Sequence, residues 1–169
     1  LDTPDPNGVL YAAVRGEGAW EFPGADPQAE RLRIGVRPAQ ATRALRFCGS
    51  VEKAHSNRSD ADRIAEHIGN VGEPARLDSQ CKYALVARGQ ADAYLRLPTR
   101  AGYVEKIWDH AGGSIIAQEA GAIVSDIHGA PLDFSHGPLL TANRGVITAI
   151  PELHPKLIEA ISTLGIGPA

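Results

Sequence analysis

The chain has 169 residues, with 43% hydrophobic and 22% charged residues, the composition of a folded globular protein and a length that suits one domain or one lobe of a larger one. A net charge of −3 excludes a general nucleic-acid binder, which needs a basic surface to meet the phosphate backbone. No apolar run approaches the roughly 18 residues of a membrane span, and no basic-then-apolar leader opens the chain.

Cys48 and Cys81 are the two cysteines. They form neither a disulfide framework nor a zinc-type pair, so a reducing, cytoplasmic setting is the expectation. There is no methionine, and the opening residues Leu1 to Gly8 read as a loop. Together these lead to the expectation of a segment from a longer chain.

In chain order, Val9–Val14 and Ala19–Phe22 flank a glycine-bearing turn and read as a β-hairpin. Pro23–Gln28 is a loop, and Leu32–Val36 and Leu45–Cys48 are short strands. Ser59-Asp60-Ala61-Asp62 has the form of a capping box, with Ile64, Ala65 and Ile68 at helical spacing before Gly69. Gln80–Arg88 is a helix stopped by Gly89. Ala91–Leu97 alternates as a strand up to Pro98. Asp109 sits where a helix N-cap belongs, and the helix runs to Gly121. Ala122–Ile127, Leu139–Ala142 and Val146–Ile150 are strands, and Leu153–Leu164 is an amphipathic closing helix. This alternation predicts an α/β fold, a layered mixed β-sheet flanked by helices.

Trp108-Asp109-His110-Ala111-Gly112-Gly113 is the segment with the most chemical content. Taken alone, Asp109 is an ordinary capping aspartate. The small residues after it leave the first turn open, and a hard cation takes carboxylate and phosphate oxygens together. With Glu119-Ala120-Gly121-Ala122 beyond it, this segment resembles the second signature of the inositol monophosphatase-like superfamily. Gly112 and Ala122 depart from that signature, each a small residue in place of another. Ser50 to Ser56, Leu77 to Tyr83, Ala91 to Pro98 and Glu105 to Asp109 resemble the 3′(2′),5′-bisphosphate nucleotidase branch. The similarity extends from the hairpin to Asn143-Arg144-Gly145.

The resemblance implies an Mg²⁺-dependent phosphomonoesterase acting on 3′-phosphoadenosine 5′-phosphate-like nucleotides. His55, Ser79, Lys82 and Arg96 match nucleotide contacts, and Asp109 matches a ligand at the metal–phosphate centre. It also implies that residues 1–169 are the C-terminal lobe of such an enzyme, its hairpin at about 9–22 belonging to the sheet of an N-terminal lobe. The water-activating residues and the other metal carboxylates would lie upstream. Asp5-Pro6-Asn7-Gly8 is similar to the family's first metal motif but lacks its second aspartate and reads as a turn. Physically, Ser79 and Lys82 are three apart at an expected helix start, an arrangement that can hold an anion. The bland alternative is a capping serine beside a solvated lysine. Arg96 ends a strand, where its guanidinium could grip phosphate or lie on the surface. His55 is by itself a loop histidine. Two alternatives stand: the same chemistry on inositol phosphates or fructose bisphosphate, and a non-catalytic nucleotide-binding domain.

Overall fold

The computed structural model describes residues 7–40, 42–51, 58–100 and 102–167. Four layers stack in it. A five-stranded mixed sheet has the order β5 (Ala75–Arg76), β4 (Phe47–Gly49), β6 (Ala93–Arg96), β8 (Val146–Ala149), β7 (Ile123–Ser125). β4 runs parallel to β5 and β6, whereas β8 is antiparallel to β6 and β7. Helices α1 (Arg58–Ile68) and α4 (His154–Thr163) cover one face, and α2 (Cys81–Ala87) and α3 (Ala111–Glu119) the other. Beyond α3 lies a three-stranded antiparallel sheet of β1 (Val9–Val14), β2 (Gly18–Pro23) and β3 (Leu32–Ile34). The α/β layered expectation holds.

The sequence pattern explains the layering. α4 buries Leu157, Ala160 and Ile161, one stripe at helical spacing, and α1 brings Ala61, Ile64, Ala65 and Ile68 to the same cluster. α2 has no polar stripe. Lys82 to Ala87 are all buried, because the helix is covered on one side by the five-stranded sheet and on the other by the small cluster of Ala19, Ala87 and Ala120 beneath the three-stranded sheet. Glu119, near the end of α3, accepts the N–H groups of Gly16 and Gly18 at 2.9 and 3.0 Å. This ties the β1–β2 turn to the helix.

Three expectations need correction. Ser59 does not precede a helix; α1 begins at Arg58, so the box-like spacing falls inside the first turn. Leu139–Ala142 is not a strand. It makes one bridge, Lys106 to Leu139, through Leu140 N–H to Glu105 O and Ile107 N–H to Pro138 O, and the chain then turns, with Asn143 N–H bonded to Leu140 O. Asp109 does not cap α3. It closes a 3₁₀ turn, Ile107–Asp109; His110 occupies the N-cap position, and no side chain of its own caps the helix.

Gly113 sets the spacing between α2 and α3. A Cβ there would stand 2.7 Å from Tyr83 Cγ and closer still to Cδ2, whereas one on Gly112 would meet only Gln80 Oε1 at 3.5 Å. Gly113→Ala should therefore destabilise the fold by about 2–3 kcal/mol through overpacking, roughly 5–10 °C for a domain of this size. Gly112→Ala, by contrast, should be neutral or slightly stabilising through helix propensity. Thermal melts of the two variants side by side check this, and equal effects would refute it.

No helix among the described residues is long and apolar enough to cross a membrane. Both cysteines are free. Cys48 is buried, its thiol donates to Lys82 O at 3.5 Å, and burial pushes its pKa up to about 12.

Candidate functional site

β6 alternates. Ala93 and Leu95 enter the core under α1 and α4, and Tyr94 faces the opposite side. Arg96 follows the same parity as Tyr94 and opens on a cavity of about 650 Å³. Lys82 from the first turn of α2 and Ser79 from the loop before it line the same cavity, and the 3₁₀ turn supplies Asp109. Four of the five residues singled out in the sequence thus share one space. The fifth, His55, lies outside the described residues.

Lys82 is only 4% exposed. Its Nζ lies 5.3 Å from the Tyr94 ring centroid and 3.4 Å from Leu77 O, and it makes no ion pair among the described residues. Burial lowers its pKa, opposed by the charge of Asp78. A buried cation without a carboxylate partner is costly, and an anion entering the cavity would offset that cost.

Ser79 departs from expectation. It stands outside α2 with φ +64°, in the left-handed region. Its hydroxyl accepts the Cys81 N–H at 3.3 Å, and Gln80 occupies the N-cap position. Since neither Ser79 nor Asp109 heads a helix, an anion in this cavity would meet side-chain charge rather than helix ends.

Arg96 donates Nε to Glu105 Oε1 at 2.9 Å and lies 6.0 Å from the Tyr103 ring. Burial opposes its charge, but the Glu105 carboxylate outweighs that and raises its pKa. Glu105 is 4% exposed, and its other oxygen meets His110 Nε2 at 3.2 Å. Burial favours the neutral acid, yet the bonds from His110 and Arg96 prevail and hold the carboxyl below its ordinary value. An ionised Glu105 only accepts, so His110 Nε2 carries a proton. His110 Nδ1, 2.7 Å from the Tyr83 hydroxyl, then accepts from it in the neutral ring.

Asp109 is exposed, and its carboxylate makes no hydrogen bond or ion pair among the described residues. Gln80 flanks it: its Nε2 donates to Trp108 O at 2.9 Å and its Oε1 accepts the Gly113 N–H at 2.6 Å. This amide, coming from another helix, does the capping expected of Asp109. Among the described residues no cluster of three His, Cys, Asp or Glu side chains could hold a metal ion. Asp109 on its own fits one ligand position, since Mg²⁺ is commonly held by one or two carboxylates together with phosphate oxygens and water. Glu105, His110, Tyr83 and Gln80 were not singled out by spacing. Gln80 and His110 do adjoin the motif residues Ser79 and Asp109, and that adjacency was the only signal for them.

The family model described as "Inositol monophosphatase family" matches residues 2–165. The chain is 42% identical over 159 residues to a 3′(2′),5′-bisphosphate nucleotidase of Schizosaccharomyces pombe, covering 94% of this chain and 45% of that protein. It is 44% identical over 156 residues to the enzyme of the same name from Emericella nidulans, covering 92% and 44%. The chain thus spans less than half the length of these relatives. Among solved structures it is similar to CysQ from Bacteroides thetaiotaomicron, a bacterial member of the inositol monophosphatase family. The TM-score is 0.65 at 26% identity, covering 84% of this chain and 54% of that one.

Proposed function

The chain belongs to the inositol monophosphatase family, and from that premise we propose that the full-length protein is an Mg²⁺-dependent phosphomonoesterase. Its substrates are adenosine bisphosphate nucleotides, from which it removes the 3′(2′)-phosphate. The observation that carries this reading is the opening of Lys82, a buried cation with no carboxylate partner among the described residues, onto a cavity shared with Arg96 and Asp109. The names of the relatives at 42–44% identity favour the nucleotide over an inositol phosphate.

In this reading Lys82 and Arg96 bind phosphate oxygens, Lys82 as a point charge and Arg96 through its planar guanidinium. Two cations suit a substrate with two phosphates. Ser79, exposed on the same wall, adds a hydroxyl. His55 contacts the nucleoside from the segment before α1. Asp109 holds one metal position at the phosphate to be cleaved. The metal, when bound, supplies a Lewis acid for the phosphoryl group and raises the acidity of a water molecule. The remaining carboxylates belong to an N-terminal lobe, whose sheet the β1–β2 hairpin extends. The two free cysteines accord with a cytoplasmic setting.

Phosphate release by the full-length protein, with Mg²⁺, from 3′-phosphoadenosine 5′-phosphate, inositol 1-phosphate and fructose 1,6-bisphosphate tests this. The nucleotide should lead in kcat/KM by at least about tenfold, the ratio given by ~1.4 kcal/mol of differential binding. Residues 1–169 alone should be nearly inactive. Preference for either sugar phosphate would support the first alternative, and nucleotide binding without turnover the non-catalytic one.

A further inference from the structure

Asp109 projects an exposed carboxylate with no side-chain partner among the described residues, so only its backbone aims it. That backbone is held by its neighbours. His110, the next residue, is 1% exposed and anchored at both ring nitrogens, Nε2 on Glu105 and Nδ1 on the Tyr83 hydroxyl. The other Glu105 oxygen holds Arg96 on β6. Glu105 itself is fixed through its carbonyl, which accepts the Leu140 N–H at 2.8 Å, and through the adjoining bridge from Lys106 to Leu139. A single buried carboxylate therefore touches, through its two oxygens, the side chain proposed for phosphate and the residue that orients the carboxylate proposed for metal.

We propose that Glu105 is a positioning residue that sets Arg96 and the Asp109 turn at a fixed separation, with His110 transmitting its hold to Asp109. This rests on the reading of Arg96 and Asp109 given above. Both Glu105 oxygens are committed and the carboxylate is buried, so it is not itself available to a ligand. The chain Arg96–Glu105–His110–Tyr83 spans the sheet, the 3₁₀ turn and α2, and its members cannot move independently. Substrate phosphate and metal must be apposed at a defined distance for in-line attack, and effects of this kind fall steeply with small displacements.

The test uses the full-length protein and two readouts. Calorimetric titration of 3′-phosphoadenosine 5′-phosphate in the presence of EDTA reads the Arg96 arm without metal. The Mg²⁺ concentration for half-maximal turnover reads the Asp109 arm. Glu105→Gln should weaken both by about tenfold or more. His110→Gln keeps the Arg96–Glu105 pair and cuts only the transmission. It should raise the Mg²⁺ requirement about tenfold while leaving metal-free nucleotide binding within about twofold. A merely structural role would shift the two readouts together in His110→Gln, and that result overturns the proposal, as does a Glu105→Gln protein with both readouts unchanged. Should Glu105→Gln fail to fold by circular dichroism, the split in His110→Gln decides alone. A wild-type protein that neither binds nor hydrolyses the nucleotide would instead refute the functional reading.

Discussion

Asp109→Asn should lower turnover of the bisphosphate nucleotide by about a thousandfold or more, with the thermal midpoint of the protein unchanged. The loss follows from the role proposed for this carboxylate: a ligand charge at a Lewis-acid centre contributes several kcal/mol to the transition state. Asparagine keeps the size and one carbonyl oxygen but removes that charge. The unchanged stability follows from geometry already seen: the side chain is exposed, makes no bond among the described residues, and caps nothing. An aspartate that capped a helix would lose about 1 kcal/mol on substitution, a drop of several degrees. Kinetics and a melt on the same sample therefore separate the two roles. A destabilised protein with near-normal turnover would return Asp109 to the status of a cap.

Lys82→Met should reduce kcat/KM by about 10- to 100-fold and leave the melting temperature equal or higher. A charge-assisted bond to phosphate is worth about 1.5–3 kcal/mol, and methionine retains the stem but not the charge. Holding an unpaired ammonium in a buried position works against folding, so removing it relieves the fold while it disables the site. The pH dependence has a definite sign. Burial lowers the folded pKa of Lys82 below the ordinary 10.5. Between those two values the unfolded chain binds more protons than the folded one, so stability rises with pH in that window. Below the folded pKa the cost of the buried charge stands in full. Lys82→Met should flatten this alkaline rise in denaturant midpoint. Lower stability at pH 7 in the methionine variant would show that Lys82 holds the fold together, and the anion role would lose its basis.

Much of the fold could be read from local pattern. The hairpin, α1, α2, β6 and α4 follow from two-residue or helical periodicity punctuated by Gly16, Gly69, Gly89 and Pro98. That Ser79, Lys82, Arg96 and Asp109 line one cavity accords with their selection together, which came through motif resemblance rather than spacing. What escaped was non-local. Asp109 looked like a cap because aspartate favours that position, yet the first turn of α3 is capped by the Gln80 amide, 33 residues earlier at Gly113. No local rule anticipates that. Ser79 was expected at the start of a helix, and its left-handed backbone moves the helix start to Cys81. Glu105 and His110 looked like unremarkable members of a motif. Their pairing needs β6 and α2 to be brought to the same turn, which only the tertiary fold does. Leu139–Ala142 has strand-like composition, but its neighbours offer only one bridge. His55 lies outside the described residues.

β6 divides its residues between two tasks: Ala93 and Leu95 go to the core, Tyr94 and Arg96 to the cavity side. Because strand parity has a period of two, a one-residue slip of β6 would exchange the two sets. It would place a guanidinium under α1 and α4 and turn leucine toward the ligand. Insertions or deletions within this strand should therefore be lethal to both folding and binding at once. Substitutions confined to the even-numbered positions can retune what the cavity accepts while the opposite face stays intact. The pleat thus separates the inheritance of stability from that of specificity, leaving the second free to drift along a strand whose length cannot change.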